Sequence, residues 1–294
     1  MKRAHVENTV GPWARLKLDA LQRYLEAYMV VMKNQPFKLV FVDAFAGAGI
    51  SRVRGPAAAA EDYPTFLDHT DEADQQQFIL GSPMRALGLE RPFDHYRFVE
   101  MDPNRASFLE DLKAEFPGRE IKVRVDEANS VVQDIAQKFT ASHWRGVAFL
   151  DPYGAHLHWA TVAALARTGK FDVIINFPLD MAINRLVKRD GNIPLAWQDQ
   201  LDLCFGCPDW REASYFEDQD LFGATEMKRE DAASRLLALY MKRLKDAFGN
   251  VSQPSLIRNT RGSPLYYLIW ASSNPRGKKI ADHILGMGEK TIIR

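Results

Sequence analysis

An apolar run that ends in an acid and a glycine-rich turn constrains this 294-residue chain more than any other stretch. Residues 39–49 read LVFVDAFAGAG, with Asp43 at the end of the apolar run. This pattern is typical of a buried parallel strand that delivers its carboxyl end to a ligand. Gly47 and Gly49 lack a Cβ, so the backbone can turn sharply and approach a ligand closely. The spacing differs from the dinucleotide-binding fingerprint, although such a turn also fits dinucleotide folds or a purely structural connection.

The rest of the chain alternates between predicted helices and strands. An amphipathic helix is predicted over 13–32, with Lys17, Arg23 and Glu26 pointing away from its apolar face. After the run at 39–43, strands are predicted at 96–100, 121–125, 147–150 and 173–177, each followed by a helical pattern or a polar turn. This rhythm predicts an α/β fold with a parallel sheet and helices on both faces.

The end of the chain departs from the parallel pattern. Two apolar segments at 251–258 and 265–271 are joined by only six residues. A connection this short suits an antiparallel pair, so a C-terminal hairpin is predicted. A last helix is predicted to begin near Pro275.

Two stretches interrupt the alternation. Residues 51–77 have no apolar period, and a loop of this length is usually functional or mobile, so we interpret it as a lid or substrate loop or as a disordered insert. Ser82 is then predicted to cap a helix that has Pro83 at its first position. Residues 179–227 are rich in aromatics and too long for a simple crossover, which indicates an inserted substrate or partner module.

These patterns predict three regions. A core with the N-terminal helix covers 1–178 and contains the loop insert at about 51–77. The inserted module covers 179–227, and a helix with a strand pair at 228–294 completes the core.

Acids follow the carboxyl ends of the successive predicted strands, at the edge where ligands bind in open α/β sheets. The order acid-x-Phe-x-Gly-x-Gly at 43–49 resembles motif I of methyltransferases that use S-adenosylmethionine (SAM). Glu100 ends the second strand and is predicted to accept hydrogen bonds from ribose hydroxyls. Asp126 or Glu127, after the third strand, is predicted to accept from an adenine amine. The candidate cofactor-binding residues are Asp43, Phe45, Gly47, Gly49, Glu100, Met101, Asp126 and Glu127.

The turn after the fourth strand reads Asp151-Pro152-Tyr153-Gly154. It resembles the [Asp/Asn]-Pro-Pro-[Tyr/Phe] motif of methyltransferases that act on exocyclic amines of bases. There an oxygen of the side chain and a backbone carbonyl accept the two amine hydrogens, and the aromatic ring stacks on a flipped base. Asp151, Pro152 and Tyr153 are therefore the candidate catalytic residues, with Tyr153 in place of the second proline.

Composition excludes some classes of function. Basic and acidic residues balance at 38 each, so no global field draws the protein to nucleic acid or membrane. Cys204 and Cys207 form half of a zinc motif without a second pair, so no metal site is predicted. No apolar run approaches the roughly 20 residues that span a bilayer, and no signal peptide is visible, so a cytoplasmic protein without membrane contact is expected.

Several motifs match in order those of one family, the three-Cys-motif partner proteins. They are Trp13 and Lys17, residues 41–49, Gly81-Ser82-Pro83, residues 98–100, residues 151–154 and residues 265–268. The resemblance implies a Rossmann-like class I methyltransferase fold with a mostly parallel seven-stranded sheet, SAM as cofactor, and pairing with a three-cysteine protein that resembles radical-SAM enzymes. The chain departs from the family in its insert after Gly49 and in Ala48, where many members carry proline.

The sequence thus predicts a SAM-dependent methyltransferase-like protein. Its expected reaction is N-methylation of a nucleic acid base or modified base. The alternative is a partner module that binds SAM without transferring its methyl group, and a further one is a nucleic-acid-processing component that keeps the fold for shape alone.

Overall fold

A computed structural model describes residues 9–10, 13–53, 78–139, 141, 143–220 and 223–290. Among these residues, no helix combines the length and the apolar character that crossing a bilayer requires.

The strands of the described residues follow in chain order. They are β1 (Thr9–Val10), β2 (Lys38–Asp43), β3 (Ile50–Val53), β4 (Phe78–Leu80), β5 (His95–Glu100), β6 (Glu120–Val125), β7 (Trp144–Leu150), β8 (Phe171–Phe177), β9 (Tyr215–Asp220), β10 (Gly223–Lys228), β11 (Asn250–Val251), β12 (Ser255–Arg258) and β13 (Pro264–Ser272).

The helices separate most of these strands. They are α1 (Ala14–Met32), α2 (Ser82–Leu87), α3 (Pro103–Glu115), α4 (Ala128–Lys138), α5 (Trp159–Thr168), a π-helical turn (Leu179–Ile183), α6 (Asn184–Leu186), α7 (Leu195–Phe205), α8 (Trp210–Ser214), α9 (Ala232–Phe248) and α10 (Pro275–Lys290).

The central sheet has the order β11-β13-β8-β7-β2-β5-β6, with β12 beside β11 on the same edge of β13. The strands from β8 to β6 are parallel, and β13 runs antiparallel to β8. The sequence prediction of a Rossmann-like α/β fold with a mostly parallel sheet and a C-terminal antiparallel pair is confirmed. Parallel order brings the carboxyl ends of β2, β5, β6, β7 and β8 to one edge.

The predicted strand at 251–258 is interrupted in the structure. Gln253 N–H leaves the ladder to bond with Asp282 Oδ1, and Pro254 has no N–H to offer. Val251 pairs with Ala271 while Ser255 pairs with Leu268, so this edge carries one more residue than its partner. The edge of the sheet beside β13 is therefore occupied by two short strands, β11 and β12, which together fill one strand position.

Side chains alternate between the two faces of the sheet, and each face carries its own core. On one face, called the α1 face, Phe41, Phe149 and Ile174 pack with residues of α1, α2, α3 and α10. On the other face, Val40, Val42, Val173 and Ile175 pack with α4, α5 and α9.

The segment at 179–227 shares the second of these cores. Leu201, Phe205 and Trp210 are buried in the same cluster as Val173 and Ile175. The hairpin of β9 and β10 extends this segment. Its helices thus form an additional layer over the sheet rather than a body with a core of its own.

The ends of the insert after the glycine turn are ordered into strands. β3 pairs antiparallel with β4 and parallel with β1. Residues 51–53 were predicted to belong to a loop because the stretch shows no apolar repeat. That prediction was wrong, because main-chain pairing with residues 78–80 forms a strand without such a repeat. Residues 54–77, which carry the lid and disorder interpretations, lie outside the described residues.

Candidate functional site

The glycine turn after β2 is braced by the acid at the end of β5. Gly47 and Gly49 have φ angles of 61° and 75°, in the left-handed region that favours glycine. Gly47 N–H donates to Glu100 Oε2 over 2.9 Å. The two residues that the sequence predicts to share a cofactor are thus in direct contact.

Glu100 is held from a second side. Its Oε1 accepts from Asp102 N–H at 2.9 Å, and Asp102 in turn caps α3. Each carboxylate oxygen retains a second lone pair, so the main-chain bonds orient the acid without exhausting it as an acceptor. Met101 follows at the rim with 73% of its surface exposed.

Asp43 is fully buried, and its Oδ2 has no hydrogen-bond partner. Its Oδ1 accepts from the N–H of Phe45 at 3.3 Å, while the half-buried ring of Phe45 packs against the core. Burial raises the pKa of Asp43 to about 7, although the nearby hydroxyl of Ser82 opposes this rise and the nearby charge of Asp151 adds to it. An unpaired buried oxygen is costly and calls for a donor from water or a ligand.

The start of α2 differs from the prediction that Ser82 caps this helix. Gly81, not Ser82, is the N-cap of α2, and Ser82 lies inside the helix without a cap bond. Position 81 is a glycine for a steric reason: Gly81 N–H donates to Gly49 O at 2.8 Å, and a Cβ at residue 81 would lie 2.9 Å from that oxygen. Gly81 therefore supports the glycine turn.

The two acids after β6 have different environments. Glu127 is the N-cap of α4 and accepts from the N–H groups of Asn129 and Ser130. Partial burial works against these bonds, yet they hold its pKa below the usual value. Asp126 is exposed and accepts from Glu127 N–H at 2.8 Å. Asp126 is therefore the more available of the two acceptors.

Asp151 is held on both sides. Its Oδ2 pairs with Lys17 Nζ at 2.5 Å, and its Oδ1 accepts from Asn176 Nδ2 at 2.7 Å. Lys17 was predicted to lie off the apolar face of α1, yet it does not end in solvent, because its ammonium reaches Asp151. Lys17 Nζ also lies 5.4 Å from the ring centroid of Tyr266. Burial, and then the charge of Asp151, raise the pKa of Tyr266 well above its usual value.

The rest of the Asp151 turn faces outward. Pro152 is buried, whereas Tyr153 exposes 72% of its surface, and Gly154 has a φ of 57°. The Tyr153 ring is therefore accessible to a planar partner.

The nearby histidines contribute through their backbones. His156 O accepts from Asn129 Nδ2, and His158 N–H donates to Asn129 Oδ1. These bonds fasten the loop between β7 and α5 to Asn129 of α4.

The two cysteines belong to the layer over the sheet. Cys204 is buried, Cys207 is half-buried, and both are free thiols. Burial raises the pKa of Cys204 to about 12. Within the described ranges, no three residues among His, Cys, Asp and Glu form a group suited to a metal.

Sequence reasoning missed Asn176 and gave no site role to Lys17 or Ser82. Asn176 carries a signal that could have identified it, because it is a polar residue in the otherwise apolar end of a buried strand. Lys17 and Ser82 lie in motifs of the family resemblance, but their contacts with Asp151 and Asp43 are not encoded by local pattern.

Comparison with known proteins gives fold-level similarity only. No family model matches the sequence, and no curated protein matches it. Protein LPL1258 from Legionella pneumophila superposes with a TM-score of 0.44 and 16% identity over 90% of this chain and 99% of that one.

Two further structures are similar at a lower level. The putative methyltransferase yhhF from Escherichia coli has a TM-score of 0.31 and 13% identity, covering 70% of this chain and 84% of that one. The N-terminal domain of EvdMO1 with SAH (S-adenosylhomocysteine) bound has a TM-score of 0.38 and 8% identity, covering 86% and 80%. At these scores, the assignment of the site rests on its own geometry.

Proposed function

We propose that this chain is a SAM-dependent methyltransferase. The observation that carries the proposal is the glycine turn, which Glu100 braces beside an unpaired, fully buried Asp43 oxygen. The positive φ angles leave the main chain open to a close ligand, and the acids supply acceptors for a nucleoside. This cradle fits SAM, whose hydroxyls, amines and water shell all offer donors.

Each part of the cradle takes a distinct role. Glu100 accepts from the ribose hydroxyls with its remaining lone pairs. Asp126 accepts from the adenine amine, since Glu127 is committed to capping α4. Met101 covers the adenine from the rim, and Gly47 and Gly49 let the backbone approach the cofactor.

Bound SAM supplies a methyl group on a positively charged sulfur. The acceptor nitrogen would form the bond to that carbon as the carbon–sulfur bond breaks with its electron pair left on sulfur, and the proton of the nitrogen would pass to water. Asp151 holds an N–H of the acceptor and stabilises the positive charge that develops on nitrogen. Pro152 keeps the turn rigid, and positioning supplies most of the catalysis.

The acceptor we propose is a nitrogen of a nucleic acid base or modified base. The exposed Tyr153 ring offers a stacking surface next to Asp151, as a flipped base requires.

The two free cysteines suit a reducing compartment, so we place this reaction in the cytoplasm.

Calorimetry and labelling test the proposal together. The protein should bind SAH saturably and should transfer radiolabelled methyl from SAM to total RNA or total DNA. Asp151→Ala should keep SAH binding within a few-fold and lower transfer by at least about tenfold, or roughly 1.4 kcal/mol. Asp246→Ala is the matched control, because this exposed acid lies at the end of α9, at the opposite edge of the sheet. Absence of SAH binding by folded protein would refute the proposal.

A second candidate is a SAM-binding module that serves a three-cysteine, radical-SAM-like partner protein without transferring methyl groups. The observation in its favour is that the chain itself occupies both Asp151 oxygens. SAH binding without labelling of RNA, DNA or the partner protein would select this candidate.

A further inference from the structure

Arg258 lies at the same edge of the sheet as the turn that carries Asp151. β13 runs antiparallel to β8, and its Tyr267 pairs with Phe177, the last residue of β8. The start of β13 therefore extends past the carboxyl end of β8, and Arg258 pairs with its first residue, Pro264. Since neighbouring strands are about 4.8 Å apart, β12 lies roughly 14 Å from β7, on the side away from β2, β5 and β6.

The π-helical turn bridges the space between Arg258 and the Asp151 turn. It follows β8 directly, and a Cβ at residue 154 would lie 4.0 Å from the Cβ of Ala182 in this turn. Turns of this kind occur frequently at functional sites. The residues of the π-helical turn thus lie against the proposed acceptor half of the site.

Asp180 of the π-helical turn is half-buried between two cations. Burial raises the pKa of Asp180, and the positive charges of Arg258 and Lys228 oppose this rise. Among the described residues, no cation forms a direct salt bridge with Asp180. The three charged groups are therefore close enough to influence one another, but the acid does not neutralise either cation by contact.

Lys228 is held in place beside a like charge. Its Nζ donates to the main-chain oxygens of Asn184 at 2.9 Å and Val187 at 2.8 Å, which fixes a half-buried ammonium. Burial, and then the charge of Arg189, lower the pKa of Lys228, although Asp180 opposes this change. Like charges that the fold keeps together are unfavourable, and an anion beside them would relieve the repulsion.

Arg189, Lys228 and Arg258 together form a basic cluster. Arg258 donates to Gly262 O at 2.8 Å, and Arg189 is exposed. Neither arginine has a carboxylate partner in the part of the chain that the structure describes. A guanidinium presents several N–H donors in a planar fork that matches the oxygens of a phosphate. The cluster thus combines an excess of positive charge with donors suited to that anion.

We propose that the basic cluster binds a phosphate group of the methyl acceptor, so that the acceptor is a polynucleotide held by its backbone. The inference rests on the proposed function and adds where the acceptor backbone lies, whereas the binding step itself needs no SAM. A cationic groove next to an exposed aromatic ring, here that of Tyr153, is how many proteins hold single strands. Because the chain has a net charge of zero, this binding depends on the local cluster.

The test measures the binding of fluorescently labelled, mixed-sequence single strands of RNA and DNA by anisotropy, without SAM. The wild type should bind both, and Arg189→Gln and Arg258→Gln should each weaken binding about fivefold at 0.1 M salt. Each should also reduce the slope of log affinity against log salt by roughly 0.7, the value for one phosphate contact on a single strand. Arg167→Gln is the matched control, because this exposed arginine in the last turn of α5 precedes the start of β8 at the opposite edge of the sheet.

A second variant separates charge from folding. Asp180→Asn removes the opposing negative charge and should tighten binding of the same strands at least twofold, whereas damage to the π-helical turn would weaken it. SAH affinity in calorimetry should stay within twofold of the wild type in every variant. In the labelling assay, Arg258→Gln should raise the KM for nucleic acid at least threefold and leave kcat within twofold.

Competition identifies the source of the phosphate. Inorganic phosphate and adenosine monophosphate should displace the labelled strand at least tenfold less well than an unlabelled strand at the same concentration of phosphate groups. Equal displacement by either competitor would indicate a site for the phosphate of a small molecule and would overturn the polynucleotide acceptor.

The other outcomes are also distinct. Wild-type protein that binds SAH but neither strand overturns this inference and leaves SAM binding intact. Unchanged binding by both arginine variants, or weaker binding by Asp180→Asn, overturns it as well. If the strands bind through the arginines but no nucleic acid is labelled, the phosphate site is supported and its role in methyl transfer is overturned together with the proposed acceptor.

Discussion

The buried carboxyl of Asp43 should make the folded protein less stable as the pH rises. Burial raises its pKa to about 7, against roughly 3.9 for an aspartate in an unfolded chain. At a pH between these two pKa values, the unfolded chain has released the proton of Asp43 and the folded protein still holds it. Rising pH therefore favours unfolding, by about 1.4 kcal/mol for each pH unit in this window. The loss reaches about 4 kcal/mol above pH ~7 and then stays constant.

The assay is urea unfolding of the wild type and Asp43→Asn at several pH values. Asparagine keeps an oxygen for the N–H of Phe45 but cannot ionise. Between about pH 5 and about pH 8, the variant should gain about 2–3 kcal/mol relative to the wild type. Other titrating groups are shared by both proteins and cancel in the difference. The exposed Asp246→Asn serves as the control and should follow the wild-type curve.

Two results would refute this reasoning. Parallel pH curves for the wild type and Asp43→Asn would mean that Asp43 ionises at its ordinary pKa, so that its unpaired oxygen is not a site for a donor. Saturating SAH should also reduce the difference, because a donor bound at Oδ2 lowers the pKa of Asp43. An unchanged difference with SAH bound would separate Asp43 from the cofactor.

Three further substitutions test other contacts of the site. Glu100→Ala should weaken SAH binding by about 1.5–3 kcal/mol in calorimetry, the range for a hydrogen bond to a charged group. Lys17→Met should lower the free energy of unfolding by about 1–3 kcal/mol in urea titrations, because it leaves a partly buried carboxylate without its counter-charge; an unchanged midpoint would show that the pair is solvated. Gly81→Ala should cost about 1–3 kcal/mol and weaken SAH binding, because its Cβ would meet the Gly49 carbonyl oxygen at 2.9 Å. Gly118→Ala is its control, since a Cβ there meets nothing within 4 Å.

The features that were predictable from sequence are local ones. The apolar run before Asp43 is a buried strand because burial on both faces requires continuous apolar side chains. The acids at 100 and 126 fall at strand ends because Glu100 is the last residue of the segment YRFVE and Asp126 directly follows the alternating segment IKVRV. The Asp102 cap was predictable for the same reason, since both of its partners lie within three residues.

The features that were missed depend on distant contacts. Lys17 and Asp151 are 134 positions apart, and no periodicity of α1 reports where a long flexible side chain ends. The role of Gly81 depends on the close approach of the Gly49 turn, which no local pattern shows. The sequence therefore predicted Ser82, and not Gly81, as the N-cap of α2. The strands β3 and β4 pair through their main chains from opposite ends of the insert. Their side chains show no pattern that predicts this pairing.

The proposed site divides into a cofactor half and an acceptor half, which the chain builds differently. The cofactor half lies between Asp43 and Asp126 and is joined mainly by bonds to the backbone, such as Gly47 to Glu100. The acceptor half joins Lys17, near one end of the sequence, to Asp151 and to the Tyr266 ring, near the other.

This division has a consequence for function. Substitutions at Lys17 or Asn176 remove contacts of Asp151 but none of the bonds that hold the glycine turn. Under the proposed function, the acceptor preference can therefore change while cofactor binding persists, and the state of Asp151 decides between catalyst and binding module. In a catalyst, Asp151 contacts a second molecule; in a binding module, its pair with Lys17 is the final state.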